Sequence, residues 1–200
     1  MGFVVTFWGT RGSIPSGPTP RLMGHLVEDF IQAMVAKKHL TPSEIKSFLG
    51  RRGKEFLIQG TDTTCVSIES NEVSFVIDAG SGLRRFGDYL LKRRPQQKIH
   101  HIFFTHFHWD HLIGLPFFAP MFREDHEIHL YAVQAELEYC IKTKFSKPFF
   151  PVPFTAIAKR VHFHRLEPRK PYSIGGFHVT PYQLDHPDPC WGYKVEFQGC

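Results

Sequence analysis

The stretch that decides the fold is FFTHFHWDHLIGLPFF, residues 103–118. Within it, four ligand-type side chains occupy six positions between two apolar flanks: His106, His108, Asp110 and His111. The preceding run KIHHIFF has the β-branched and aromatic bias of a strand, so these side chains follow directly on a strand end. Alternate residues of an extended segment point the same way, so His106 and His108 can converge on one cation. Asp110 and His111 can face a second cation after the chain bends. The stretch therefore predicts a loop that binds one or two metal ions.

Other histidines of the chain are predicted not to bind metal. The pairs His100-His101 and His162-x-His164 lie in strand-like runs with no acidic or cysteine companion nearby in the sequence. A histidine in such a setting is usually a surface residue or a hydrogen-bonded core residue. The HxHxDH spacing is much more specific than either pair.

Strand-like runs alternate with helical ones along the chain. Eight runs have strand composition: FVVTFW, TTCVSIE, EVSFVIDA, IHHIFFT, EIHLYAV, RVHFHRL, GFHVTPYQL and GYKVEF. The run LRRFGDYLLKRR places Leu83, Phe86 and Leu90 at helical spacing and stops before Pro95. Two hundred residues with 42% hydrophobic content suffice for one core. We therefore expect a single α/β domain over residues 1–200.

A two-helix insertion is predicted at about residues 17–58. RLMGHLVEDFIQAMVAKK has apolar residues at helical spacing, and TPSEIKSFL opens with Thr41, Pro42 and Glu44 in the order of a capped helix start. The segment carries no residue pattern with evident chemistry. A solvent-facing elaboration is therefore favoured over an arm that grips substrate.

Several motifs together resemble one family. HxHxDH resembles the signature of the metallo-β-lactamase fold hydrolases, and three further segments agree in the right order. FWGTRGSIP (7–15) is similar to the entry strand of the branch that includes ribonuclease Z and related phosphodiesterases. VIDAGSG (76–82) resembles the early motif, and LDHPDPCWGYKVE (184–196) the third. The resemblance implies an αβ/βα sandwich with its site along one edge of the two sheets.

The resemblance also implies roles for two residues outside the opening stretch. His186 would complete a three-histidine face with His106 and His108. Asp78 would orient the metal loop as a hydrogen-bond acceptor without binding the metal itself. Both residues follow strand-like runs, where a loop begins. Asp110 would bind the second metal and accept a proton from the attacking water.

The implied chemistry is hydrolysis by metal-activated water. Zinc is the expected metal, as one or two ions, with manganese or iron as alternatives. The entry motif and the mild excess of 24 basic over 19 acidic side chains favour phosphodiester substrates, either small molecules or nucleotides. Two alternatives stay open: a lactonase or thioesterase of the same fold, and a regulatory module that binds metal without turnover.

The resemblance covers most of the chain but leaves part of the family pattern unmatched. Beyond the GY strand the family normally adds a bridging aspartate and a further histidine, and neither Asp188 nor Glu196 fits these roles by position. The sequence therefore predicts an incomplete copy of the fold, in which the second metal is held weakly by Asp110 and His111 alone. The open edge at GYKVEF predicts self-association into a homo-oligomer.

Composition also bears on location. No apolar run approaches the roughly 20 residues that a membrane span needs. The four cysteines are far apart and form no CxxC pair, so neither a zinc ribbon nor a disulfide framework is indicated. These features predict a cytoplasmic protein.

Overall fold

The chain forms two compact units, one of Ser16–Thr61 and one of Met1–Pro15 with Asp62–Cys200. The structure, a computed structural model, describes residues 2–17, 19–36, 41–47 and 61–197. Residues 37–40 and 48–60 of the predicted insertion lie outside this described part.

The first helix of the smaller unit, α1, spans Pro20–Val35. Thr19 caps it, because its hydroxyl oxygen accepts a hydrogen bond from the Leu22 amide at 3.2 Å. Pro20 occupies the first turn. Amides in this turn have no acceptor within the helix, so the missing amide proton of proline removes no helical hydrogen bond. These local signals explain why the helix begins where it does.

A second helical segment covers residues 42–47. Thr41 and Glu44 form the predicted capping box: the Glu44 carboxylate accepts the Thr41 amide at 2.8 Å, and the Thr41 hydroxyl accepts the Glu44 amide at 3.3 Å. Both predicted helices are confirmed over the described residues. Their role as an insertion into one domain, at about 17–58, stays a prediction.

Over residues 2–15 and 62–197, the larger unit contains nine strands. Six form one sheet in chain order: β1 Val4–Gly9, β2 Cys65–Glu69, β3 Ser74–Ile77, β4 Ile99–Phe103, β5 Glu127–Ala132 and β6 Val161–Arg165. Three form a second sheet: β7 Tyr172–Ile174, β8 Phe177–Leu184 and β9 Cys190–Phe197. All eight predicted strands are present, and β7 is the additional one. The β1–β3 pairs are antiparallel, whereas β3 to β6 run parallel.

Three α-helices connect these strands: α2 Gly82–Arg93, α3 Trp109–Leu112 and α4 Leu137–Lys144. Helix α2 confirms the predicted one, and its buried residues include Leu83, Phe86 and Leu90. Helix α4 was not predicted. None of the described helices is long and apolar enough to cross a bilayer.

The two faces of the six-stranded sheet bury different cores. In β4, Ile102 belongs to the cluster that contains Leu83 and Phe86 of α2, whereas Phe103 belongs to a second cluster with Phe177 of β8. Successive residues of a strand point to opposite faces, so one strand contributes to both cores. Helices thus cover one face of the large sheet and the small sheet packs on the other. The predicted αβ/βα sandwich is confirmed.

Parallel strand order decides where the polar loops meet. Because β3 and β4 run parallel, the loops after Ile77 and Phe103 leave the sheet at the same edge. Asp78 follows β3, and the HxHxDH residues follow β4. Ligand sites of α/β sheets commonly lie at the carboxyl ends of strands. A functional site is therefore expected at this edge of the sheet.

Candidate metal centre

The HxHxDH loop, residues 106–111, begins where β4 leaves the sheet. The Phe104 amide donates to the Tyr131 carbonyl at 2.9 Å, which keeps the chain beside β5 up to the loop. The chain then turns into α3, and the His111 amide donates to the His108 carbonyl at 3.0 Å. The loop is thus anchored on both sides.

Three imidazoles from two loops lie together at this edge. His106 and His108 come from the HxHxDH loop, and His186 comes from the loop after β8. Ring centroids are 4.5 Å apart for His106 and His108, 4.6 Å for His106 and His186, and 5.2 Å for His108 and His186. Each ring offers a nitrogen, and the three nitrogens lie within 4.8 Å of one another. One ion placed between them would have three ligands.

Thr105 determines which nitrogen of His106 is free. The Thr105 hydroxyl donates to the Asp78 carboxylate, at 3.0 Å and 2.9 Å from its two oxygens, and also lies 2.9 Å from His106 Nδ1. Because its single proton goes to the carboxylate, the hydroxyl oxygen accepts from His106 Nδ1–H. A neutral imidazole then keeps its lone pair on Nε2. His106 is consequently prepared to bind a metal through Nε2.

Asp188 contacts the other two rings. Its carboxylate lies 2.7 Å from His108 Nε2, so Nε2–H donates to it and Nδ1 keeps the lone pair. His186 Nδ1 accepts a hydrogen bond from the Asp188 amide at 3.1 Å and lies 3.0 Å from the Asp188 carbonyl. These contacts hold the His186 ring beside the other two. Sequence reasoning set Asp188 aside, although it lies within the same short loop as His186.

Asp78 contacts the HxHxDH loop directly. Its backbone has a φ of 62°, in the left-handed region that aspartate tolerates better than most residues, and the residue is only 1% exposed. Its carboxylate accepts from the Thr105 amide at 2.9 Å and lies 2.7 Å from His111 Nδ1. A proton on Nδ1 donates to Asp78 and leaves His111 Nε2 with the lone pair. These contacts agree with the predicted orienting role.

Asp110 lies on the other side of the His111 ring. Its Oδ2 is 3.4 Å from His111 Nε2 and accepts a hydrogen bond from the Ser13 amide at 2.9 Å. Ser13 belongs to the FWGTRGSIP entry segment, which reaches the site through this contact. The His106 and His111 rings are 4.1 Å apart between centroids. The predicted second pair, Asp110 and His111, is therefore adjacent to the three-histidine group.

Burial and neighbouring charges shift the pKa values of three groups in the site. Burial, followed by repulsion from His111 and His108, lowers the pKa of His106 to about 4, so this ring is neutral at neutral pH. Burial also lowers the pKa of His111, but the hydrogen bond and charge of Asp78 outweigh it and raise the pKa above the ordinary value. Burial raises the pKa of Asp110, yet the Ser13 amide and His111 hold it below the ordinary value. Asp110 is therefore a carboxylate at neutral pH.

A glutamine ties the two ligand-bearing loops together. Gln134 Nε2 donates to the Thr105 carbonyl at 2.9 Å and to the Pro189 carbonyl at 2.7 Å. The Trp191 amide adds a bond to the Thr105 carbonyl at 2.9 Å. Sequence reasoning missed Gln134, because no local pattern marks a residue that acts by bridging two distant loops.

The donor set fits a transition metal. Three imidazoles whose nitrogens lie within 4.8 Å of one another suit zinc and its neighbours. A carboxylate and a fourth imidazole beside them suit a second ion. An α/β sandwich with this arrangement at its strand ends defines the class of metallo-β-lactamase fold proteins.

Comparison with known proteins identifies the family. Residues 74–199 match the family model described as "Beta-lactamase superfamily domain", and the chain belongs to this superfamily. Ribonuclease Z of Staphylococcus carnosus (strain TM300) is 31% identical over 134 residues, which cover 64% of this chain and 40% of that relative. The resemblance to the ribonuclease Z-like branch is thereby confirmed. The chain spans about 40% of the length of this curated relative.

Solved structures show the same fold. The metallo-β-lactamase fold protein YhfI from Bacillus subtilis superposes with a TM-score of 0.58 at 15% identity, over 97% of this chain and 57% of that one. Human tRNase Z, short form, superposes with a TM-score of 0.52 at 19% identity, over 98% and 65%. At these identities the likeness establishes the fold alone.

Proposed function

We propose that the protein is a metal-dependent hydrolase of phosphodiesters, with zinc held by His106, His108 and His186. The observation that carries the proposal is the convergence of these three rings, whose ligand nitrogens lie within 4.8 Å of one another. Membership of a superfamily that includes relatives named ribonuclease Z supports the phosphodiester class. Asp110 and His111 would hold a second ion. Manganese and iron remain alternatives to zinc for the same donors.

In the proposed hydrolysis, Asp110, Asp78 and Thr105 would each have a separate role. A bound metal acts as a Lewis acid and makes water nucleophilic at neutral pH. Asp110, ionised and held by the Ser13 amide, would accept the proton of the attacking water at its carboxylate. Asp78 would keep the proton of His111 on Nδ1, and Thr105 would do the same for His106.

An apolar cavity beside the loop is the proposed substrate pocket. It has a volume of about 460 Å³ and is lined by Phe107, Trp109, Phe117 and Phe150 among others. Phe107 and Trp109 belong to the HxHxDH loop, so the same loop carries both the ligand histidines and part of the cavity wall. Aromatic walls of this kind stack well on nucleobases.

One cation belongs to this cavity. Lys144 Nζ lies 3.2 Å from the centroid of the Trp109 ring, is shielded from solvent and has no hydrogen-bond partner among the described residues. Burial lowers the pKa of Lys144 to about 8, which still leaves it mostly charged at neutral pH. An ammonium that contacts the Trp109 ring, and makes no hydrogen bond to a described residue, would suit a phosphate group in this cavity.

A second candidate function follows from the same cavity. Apart from Lys144 its lining is almost wholly apolar, which also suits the acyl chain of a thioester or lactone. The donor set at the metal centre would serve either ester. A phosphodiester substrate would need the positive charge of Lys144, whereas a thioester or lactone would not, so replacement of Lys144 distinguishes the two classes.

The test compares substrate classes with zinc or manganese added. We expect the chain to hydrolyse bis(4-nitrophenyl) phosphate and to lose this activity in the His106→Ala/His108→Ala variant. Lys144→Met should raise KM for the phosphodiester by about tenfold, the loss of one charged hydrogen bond. Lys159→Met, at an exposed position, is the matched control and should change nothing.

Other outcomes would replace the proposal. Hydrolysis of thioesters or lactones with an inert phosphodiester would favour the second candidate. Bound metal with no turnover of any of these substrates would indicate a regulatory, metal-binding module. We also propose a reducing, cytoplasmic location, supported by Cys65, Cys140 and Cys190 as free thiols. A homo-oligomer formed across β9 stays a prediction that sedimentation can test.

A further inference from the structure

A second group of histidines lies on one face of the parallel strands. In the strand register His101 of β4 pairs with His129 of β5, which pairs with His162 of β6. Tyr131 and His164 pair one step further along. Parallel pairing places directly matched residues side by side on the same face, so these rings form a continuous polar strip.

At one end of the strip, three ligand-type groups converge. Glu127 and His129 are two residues apart on β5 and therefore share this face. The Glu127 carboxylate lies 3.5 Å from His129 Nε2 and 3.7 Å from His162 Nε2. The two rings are 4.7 Å apart between centroids, and the three ligand atoms lie within 4.8 Å of one another.

The two imidazole nitrogens in this group make no hydrogen bond within the described part of the chain, although both lie within ion-pair distance of Glu127. Both His129 Nε2 and His162 Nε2 are shielded from solvent, and neither makes a hydrogen bond to any described residue. Buried polar atoms are nearly always satisfied in folded proteins, so each such exception needs an explanation. A metal ion bound between the Glu127 carboxylate and these two nitrogens would provide the bonding partner that each nitrogen lacks among the described residues.

The neighbouring ring of His164 offers an acceptor to the other nitrogen of His129. His129 Nδ1 lies 2.8 Å from His164 Nε2. If His129 Nδ1–H donates to His164 Nε2, His129 keeps its lone pair on Nε2, facing Glu127. A ligand histidine whose other nitrogen donates to a protein acceptor is the usual arrangement at metal sites. The Glu127 side chain is 56% exposed, so an ion has a route from solvent.

We infer that Glu127, His129 and His162 form a second transition-metal site, separate from the hydrolytic centre. Two imidazoles and a carboxylate, with a fourth position open to water, match a common zinc donor set. The site lies near the amino-terminal ends of β5 and β6, whereas the first centre lies beyond the carboxyl end of β4. One ion cannot serve both.

Sequence analysis found no acidic companion for His162 and predicted that it does not bind metal; the nearby Glu127 carboxylate is the companion that the sequence did not reveal. That prediction considered only neighbours along the chain. Glu127 is 35 positions earlier and comes close to His162 only because β5 and β6 pair in parallel. The inference does not depend on the proposed function, since it concerns different residues.

Cobalt titration of the full chain in a His106→Ala/His108→Ala/His111→Ala background, which also removes the second ion proposed at the first centre, isolates this site. We expect one equivalent of Co²⁺ to bind, with visible d–d absorption, and Zn²⁺ to displace it. Adding His162→Gln or Glu127→Gln should weaken Co²⁺ binding by at least about tenfold. His178→Gln, at an exposed histidine of β8, is the matched control and should leave binding unchanged.

Two results would overturn the inference. One is a background variant that binds no cobalt although its circular dichroism shows a folded chain. The other is cobalt binding that neither His162→Gln nor Glu127→Gln weakens. Because the Glu127 carboxylate is largely exposed, its replacement by glutamine should leave the fold intact, and thermal unfolding checks this.

Discussion

Replacement of Asp78 by asparagine tests how the metal centre is organised. The buried carboxylate accepts the Thr105 amide at one oxygen and lies 2.7 Å from His111 Nδ1 at the other. Asparagine keeps the shape and one acceptor, but its NH₂ group would then face the Nδ1–H of His111. Two donors cannot bond, so the His111 proton would move to Nε2, where it blocks metal binding.

The expected size of the effect follows from these contacts. A hydrogen bond to a charged group contributes about 1.5–3 kcal/mol. At about 1.4 kcal/mol per factor of ten, this loss corresponds to roughly 10- to 100-fold in metal affinity. Outer partners of metal ligands typically show the same range of about 10- to 100-fold when replaced. The free energy of unfolding of the metal-free chain should fall by about 1–3 kcal/mol.

Competition with a chromophoric chelator measures zinc affinity for the wild type and for Asp78→Asn. Asp125→Asn is the matched control, because the Asp125 side chain is 65% exposed and pairs only with groups outside the site, such as Lys98 at 2.8 Å. Unchanged zinc affinity in Asp78→Asn would refute the orienting role. A crystal structure with an Asp78 oxygen about 2.0–2.2 Å from zinc would show a direct ligand instead.

Two further predictions concern stability. At Gly114 an added Cβ would lie 1.9 Å from the Gly80 carbonyl oxygen, so Gly114→Ala should lower the free energy of unfolding by about 1–3 kcal/mol or more in urea titrations. Gly24→Ala in α1 meets nothing within 4 Å and should instead stabilise by about 0.5–1 kcal/mol; equal effects of the two variants would contradict this account. The second prediction concerns pH. Asp78 raises the pKa of His111 although burial lowers it. The contribution of this pair to the free energy of unfolding is therefore complete below the ordinary histidine pKa of about 6.5 and is lost as the pH rises through the raised pKa. The stability advantage of the metal-free wild type over Asp78→Asn should therefore shrink as the pH rises above about 6.5 and through the raised pKa, and an advantage that grows would refute the assignment.

Local patterns in the sequence determined the elements and the principal site. Strand runs with aromatic and β-branched residues, the capping box at Thr41 and the helical spacing of Leu83, Phe86 and Leu90 each depend on neighbours within one or two turns. The HxHxDH spacing is local in the same sense. These features could be predicted from the sequence because their physical causes act within a short stretch of chain.

Weak local signals explain the elements that were missed. Helix α4, Leu137–Lys144, has only eight residues and two buried apolar ones, so its periodicity is slight. Strand β7 has three residues and is stabilised by pairing with β8. Such short elements form because tertiary contacts complete them.

Contacts between distant loops and strands were decided only by the tertiary structure. The Asp188 carboxylate contacts His108, which is 80 positions earlier in the chain. Gln134 joins the loops that carry His106 and His186. Glu127 lies near His162 through the register of two parallel strands. The register of strands and the meeting of loops depend on the packing of the whole sheet, and a change of one residue in register would reverse which side chains share a face. No local pattern carries that information, so the partners that orient the first centre and the ligands of the second could be seen only once the chain was folded.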